Sequence, residues 1–304
     1  MKFTHTALAA FTTVALSLTA QAETKSILLK QSMPIGKRLV QSMTMNQKMN
    51  MEGGPQAIKI TNKINMDMSM DVTKHGEDQK KATIKYDKAS MLMDMGFMKE
   101  EVSSENDDGN PFTKLVGKSF AVIYDKEDKI VEVKGADDLI GDAADLGPMA
   151  SVAEMFQGDQ MKQNLEQGLL QNVPKKALKV GDSWDFEIKI NMPNNMGEMV
   201  FEGGYTLRKF AEYDGQECAV IAMEGKLEGD GKKEIEMQGQ KISMDFKESE
   251  IEGEIYFDNK LGLPRKSDTL TKMKMEMAVA GQEMLMDMTI TAINKVTKVE
   301  DLKN

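Results

Sequence analysis

From Ile64 to Val72 the chain alternates without a break, with Ile64, Met66, Met68, Met70 and Val72 on one side and Asn65, Asp67, Ser69 and Asp71 on the other. A side-chain period of two belongs to an extended strand, whose successive residues point to opposite faces; a helix cannot satisfy it. The same device returns at Met273-Lys-Met-Glu-Met277 and through Met284, Met286, Met288 and Ile290. Each stretch therefore predicts a strand with one buried and one wet face, the signature of antiparallel sheet. Gly281-Gln-Glu-Met-Leu-Met-Asp-Met288 echoes Gly239-Gln-Lys-Ile-Ser-Met-Asp-Phe246, which predicts repeated hairpins with a Gly at each bend. Two more hairpins are signalled: Phe120 to Tyr124 against Ile130 to Val133 across Asp125 to Lys129, and Tyr205 to Phe210 against Cys218 to Met223 across Asp214-Gly215.

Between Ala136 and Asn172 the β-branched residues thin out and Ala, Met, Leu and Gln take over at helical spacing. Pro148 can open one helix and Asp159 can cap another, whose Met161, Leu165 and Leu169 share a face and which Pro174 terminates. Val180-Gly-Asp-Ser-Trp-Asp-Phe186 then restarts β-structure with the only tryptophan. The polar run Glu100 to Pro111 predicts a mobile loop.

The first residues carry an address. Lys2, an apolar run from Ala7 to Leu18 and Ala20-Gln-Ala22 reproduce the charged start, apolar centre and A-x-A exit of a secretory signal, so cleavage is expected after Ala22. No Cys follows that site to take a lipid, and no later stretch approaches the ~18 apolar residues of a membrane helix. The expected product is exported and soluble, periplasmic or extracellular. The division expected is signal peptide 1–22, N-terminal antiparallel region 23–135, helical insert 136–174 and C-terminal antiparallel region 175–304, with 23–304 as one continuous domain left open.

Composition removes whole classes of function. Acidic residues outnumber basic ones 49 to 39, net charge −10, where a phosphate-backbone binder needs a basic excess, so no nucleic-acid partner is expected. Two His and one Cys starve metal and nucleophile constellations of their parts. His75 sits in the polar turn Lys-His-Gly-Glu-Asp, Cys218 in the strand pattern Glu-Cys-Ala-Val-Ile-Ala, and no calcium loop or Gly-rich phosphate loop is present. The expectation is a protein that is not an enzyme, with no catalytic residues, no metal and no cofactor.

What remains is methionine, 28 residues against 17 for Phe, Tyr and Trp together. Thioethers ligate Cu(I), so pairs such as Met43/Met45, Met49/Met51 and Met91/Met93/Met95 admit a copper carrier. The spacing favours a simpler account, because a strict period of two is what a strand needs and a metal site needs only convergence. Met on the buried face is either ordinary core or the lining of an adaptable apolar cavity, since unbranched polarizable side chains repack around varied partners. If a cavity exists, its expected lining is Met66, Met68, Met70, Trp184, Met273, Met275, Met277, Met284, Met286 and Met288.

In the Met-x-Met strands, the Phe120-Ala-Val-Ile-Tyr-Asp hairpin, the helical insert, Val180-Gly-Asp-Ser-Trp184 and the closing Met-rich hairpins, the chain resembles a poorly characterised family of exported bacterial β-rich proteins of unknown function. That family implies no catalytic residues. More remotely the plan is similar to the periplasmic lipoprotein carriers, whose incomplete antiparallel barrel holds acyl chains under a helical lid. The expected fold is α+β, long antiparallel strands curved into a half-barrel or two related sheets with a short helical insert. The expected function is binding an apolar ligand such as lipid or an acyl chain; a structural or protein-interaction module of the cell envelope and Met-thioether Cu(I) binding are the alternatives.

Overall fold

A computed structural model describes residues 25–53, 57–106, 110–139, 158–167, 170–191, 198–227, 232–237, 240–279 and 282–303. The signal segment, Pro148, Leu169 and the Gly239 and Gly281 bends lie outside them. Fifteen strands follow in chain order: β1 (Ser26–Ile27), β2 (Lys37–Glu52), β3 (Ile58–His75), β4 (Gln79–Asp94), β5 (Lys99–Ser103), β6 (Ser119–Tyr124), β7 (Ile130–Lys134), β8 (Leu178–Lys179), β9 (Ser183–Asn191), β10 (Glu198–Tyr213), β11 (Gln216–Leu227), β12 (Lys232–Met237), β13 (Gln240–Asp258), β14 (Leu263–Val279) and β15 (Gln282–Asp301). Two helices are described, α1 (Pro111–Leu115) and α2 (Gly158–Gln167).

All strands but β1 and β8 join one antiparallel sheet of thirteen, ordered β7-β6-β4-β3-β2-β15-β14-β13-β11-β10-β9, with β5 on β4 and β12 on β13. The fold is the expected α+β type dominated by long antiparallel strands. Of the predicted hairpins, β6 pairs β7 and β10 pairs β11 as expected, and β12 pairs β13 and β14 pairs β15 on either side of the Gly239 and Gly281 positions. The first and last long strands close on each other, β2 pairing β15 from Lys37↔Asp301 to Glu52↔Leu285.

The run Glu100 to Pro111 is no loop throughout. Lys99–Ser103 pairs β4, with Val102 opposite Met91 and buried, and Pro111 opens α1, capped by Asn110 Oδ1 accepting from the amides of Phe112 (2.8 Å) and Thr113 (3.1 Å). One apolar residue facing a Met strand and one good cap outweigh the polar composition. In α2, Met161 is buried and Leu165 packs against the same core, as the spacing predicts, but Asp159 stands inside the helix rather than ahead of it.

The sheet is curved, and the cause is visible in residues 25–36. Ile27 pairs Leu178 in β8, next to β10 through the Gly181 N to Leu207 O hydrogen bond (2.8 Å). Six residues later the Met33 amide donates to Asp128 Oδ1 (2.9 Å) in the β6–β7 turn. Six extended residues reach about 20 Å. On a flat sheet the eight pairings from β6 to β10 would hold those turns roughly 38 Å apart, at ~4.8 Å per pairing. The segment is thus a chord across one end of a half-barrel. Next to Met33, Ser32 N donates to Gly262 O (3.0 Å), and a Cβ on Gly262, at φ 80°, would lie 2.7 Å from Ser32 O.

The strap defines the inner face, since Leu29 enters one buried cluster and Met33 the other. The N-terminal cluster holds Leu39, Val72, Ala82, Val122, Phe112, Leu115, Leu139 and Met161; the C-terminal one holds Phe201, Leu207, Ile221, Phe257, Phe186 and Trp184. Each fully buried large side chain removes ~1.5–3 kcal/mol of apolar exposure from water. The outer edge of β9 is blocked: Gln171 Oε1 accepts from Glu187 N (3.2 Å) and Asn172 Nδ2 donates to Asp185 O (3.3 Å), which denies that edge to a further strand.

Candidate functional site

Register determines what the inner face displays along its length. Near the strapped end, Leu39 faces Met70, which faces Ile84, and Leu207 faces Ile221, which faces Ile255. This end is a closed core in which Met33 and Met70 are set among branched and aromatic side chains. After intermediate levels that carry Met68, Met43 with Met66, and Met45 with Ile64, a polar level follows where Gln47 lies between Asn62 and Ile290. Asn62 Nδ2 donates to Gln47 Oε1 (3.2 Å) and Gln47 Nε2 donates to Met288 Sδ (3.0 Å).

Beyond that level, toward the far end, three rows run across the strands. The first is Ile60, Met49, Met288, Met273; the second is Ile58, Met51, Met286, Met275, Phe246; the third is Met284, Met277, Met244. Nine of these twelve residues are Met and none is charged. Directly opposed side chains on an antiparallel pair have Cβ atoms about 4.5–5.5 Å apart, so the thioethers form a contiguous patch. Met273, Met275, Met244 and Phe246 are buried, whereas Met49, Met51, Met284, Met286 and Met288 are half-buried. The half-buried side of the patch lies between the two clusters, and neither cluster includes Met49, Met51, Met284 or Ile60.

The predicted lining residues divide accordingly. Met273, Met275, Met277, Met284, Met286 and Met288 come together in the rows. Met66 and Met68 share the inner face but pack against the N-terminal cluster, of which buried Met70 is a member. Trp184 is buried in the C-terminal cluster, its Nε1 donating to Gln171 O (3.0 Å) and its ring centroid 5.4 Å from that of Tyr205. Sequence reasoning left out Met49, Met51 and Met244, whose alternation was visible but whose pairing with β15 and β14 was not.

Ser249 is a second omission. A register shift between Phe246 and Ser249 places it opposite Met273, at the end of the first row, with 7% of its surface exposed. Its Oγ is buried and has no hydrogen-bond partner among the described residues, and the same holds for Asn62 Oδ1. An unpaired buried polar atom costs ~1–3 kcal/mol.

Elsewhere the chemistry is structural. Asp258, 1% exposed, accepts from the amides of Lys260 (2.9 Å) and Leu261 (3.1 Å) and from Arg265 Nε (2.7 Å), which fixes the β13–β14 turn. Burial, with Asp258 nearby, pushes the Cys218 thiol up to about 11. On the outer face a depression of ≈ 390 Å³ lies over Gly253, beside Glu252, Glu254, Asp268 and Ile293. Among the described residues no group of three His, Cys, Asp or Glu side chains is placed to hold a metal, and no helix is long and apolar enough to cross a membrane.

Residues 77–264 match the Family of unknown function (DUF6263), and the chain belongs to that family. No curated protein matches the chain in sequence. Among solved structures it is similar to one titled lipid-protein interactions in lipovitellin (9% identity, TM-score 0.45), covering 90% of this chain and only 26% of that one. It is also similar to an outer membrane lipoprotein-sorting protein domain from Vibrio parahaemolyticus (10%, TM-score 0.14, covering 85% and 84%). A third likeness is to a DUF1329 family protein from Desulfovibrio piger (6%, TM-score 0.16, covering 86% and 85%).

Proposed function

We propose that this chain is exported, is not an enzyme, and binds an apolar ligand, a lipid or acyl chain, along the Met rows at the open end of the half-barrel. The supporting observation is a change along the inner face: on the strap side of Gln47, Met66, Met68 and Met70 are interspersed with branched and aromatic side chains and pack into the core, whereas beyond Gln47 uncharged thioethers stand side by side and Met49, Met51, Met284, Met286 and Met288 are only half-buried. Thioether side chains adapt to varied apolar shapes, whereas a solid core favours branched ones with fewer rotamers. The β4–β5 tip at the same end exposes Phe97 (81%) and Met98 (45%), an apolar rim beside the rows. Export follows from the N-terminal segment, and mature protein from the native host should begin at Glu23.

The test is organic extraction and mass spectrometry of natively purified protein, with titration by N-phenyl-1-naphthylamine, which gains emission in a dry site. Saturable emission gain, displaced by fatty acid and kept in Met51→Leu/Met286→Leu protein, is the expected result; no gain sinks the reading. The row Met51, Met286, Met275 also supports a second reading, soft-metal binding, because three thioethers stand side by side. It predicts that anaerobic Cu(I) raises the melting temperature and that the Leu variants abolish this. If neither ligand binds, an envelope scaffold or protein-interaction module is the reading left.

A further inference from the structure

The geometry points to a ligand whose polar group is an uncharged hydroxyl or amide, received by the Ser249 hydroxyl, with the apolar chain lying along the Met rows. This deepens the apolar-ligand reading and rests on it. Ser249 is more than nine-tenths buried, its Oγ has no partner among the described residues, and it terminates a row that is otherwise apolar. The bulge that puts it there turns a residue from a strongly charged stretch, Lys247-Glu-Ser-Glu250, onto the inner face. Bulges re-aim side chains in this way beside binding sites. A serine hydroxyl both donates and accepts, so it can serve either partner of an alcohol or amide.

Charge decides the class of headgroup. The twelve residues of the three rows include no Lys or Arg to neutralise a phosphate or carboxylate, and an ionised headgroup taken into such a site is strongly penalised. Across the rows, the buried unpaired Asn62 Oδ1 offers an acceptor and no charge. Met273, which faces Ser249, must turn aside to admit the group, a movement an unbranched side chain makes readily.

The experiment displaces bound N-phenyl-1-naphthylamine with dodecanol, dodecyl chloride and dodecanoate at pH 8, in wild type and in Ser249→Ala. That variant removes an unpaired hydroxyl and should melt no lower than wild type. Ser249→Ala is expected to weaken dodecanol about fivefold and leave dodecyl chloride unchanged, Ser249→Thr to retain dodecanol, and dodecanoate to compete least in wild type. Dodecanol unaffected by Ser249→Ala, or dodecanoate equal to dodecanol, overturns the assignment while the apolar-ligand reading stands. If the naphthylamine does not bind wild type at all, both fall together.

Discussion

Single residues on one strand already separate the faces of this sheet. Met70, 7% exposed, sits between Leu39 and Ile84, while the adjacent face carries Asp67 opposite Lys88 and Ser42. Met70→Asp buries a carboxylate without a partner and should destabilise by about 4 kcal/mol, against ~0.5 kcal/mol for Asp67→Asn, measured by urea unfolding. Equal costs would refute the face assignment. Cys218 tests burial by titration. Its ordinary value of 9.0 rises to about 11, chiefly through burial and then through Asp258, so the folded state holds the proton more tightly than the unfolded one. The stability this provides is intact below pH 9.0 and falls as pH rises toward about 11. Native Cys218 should therefore react slowly with iodoacetamide at pH 8 and rapidly in urea; fast native reaction would contradict the burial. At this scale the Met alternation and the strand character of Cys218 were legible. Ser249 was not, because a Ser among Lys and Glu gives no sign of a bulge.

Elements formed by local pairing could be read from the sequence; those formed by distant contacts could not. The β6–β7 and β10–β11 hairpins announce themselves through alternation and turn residues. The strap over residues 25–36 has no such pattern, and its anchors lie far along the chain. Asp128 is the clearest: it accepts from Met33 N and from Lys80 Nζ at 2.6 and 2.7 Å, and the Lys80 and Asp128 side chains are only 16% and 15% exposed. Its φ of 63° suits Asp or Asn better than most residues. Asp128→Ala leaves Lys80 and the Met33 amide without their acceptor and should cost about 3 kcal/mol, whereas Asp128→Asn, which keeps an oxygen and the backbone preference, should cost about 1 kcal/mol. Chemical denaturation with both variants checks this, and equal losses would mean that the strap contributes little through this anchor.

For the whole molecule, one continuous sheet supports two kinds of interior, and their difference should appear as a gradient of local stability. At the strapped end Leu39, Val72, Val122, Leu207, Ile221 and Phe257 are wholly buried, and the chord ties opposite sides of the sheet together. At the open end Met49, Met51 and Met284 are half-buried and belong to neither cluster. Local opening follows low burial and few apolar contacts, so the open end should open without global unfolding. Methionine reports this directly, because peroxide adds one oxygen to an accessible thioether and leaves water. In dilute hydrogen peroxide, peptide mass spectrometry should find sulfoxide first at Met49, Met51 and Met284. Met70, Met91, Met223 and Met244, each 7% exposed or less, should be protected. Access by global unfolding would instead oxidise every thioether at one rate, and a single common rate would refute the gradient. Met244 is the sharpest control: it lies in the third row beside Met277, yet only 2% of its surface is exposed. If proximity to the open end alone governed access it would oxidise with Met284; if burial governs, it should react with Met70.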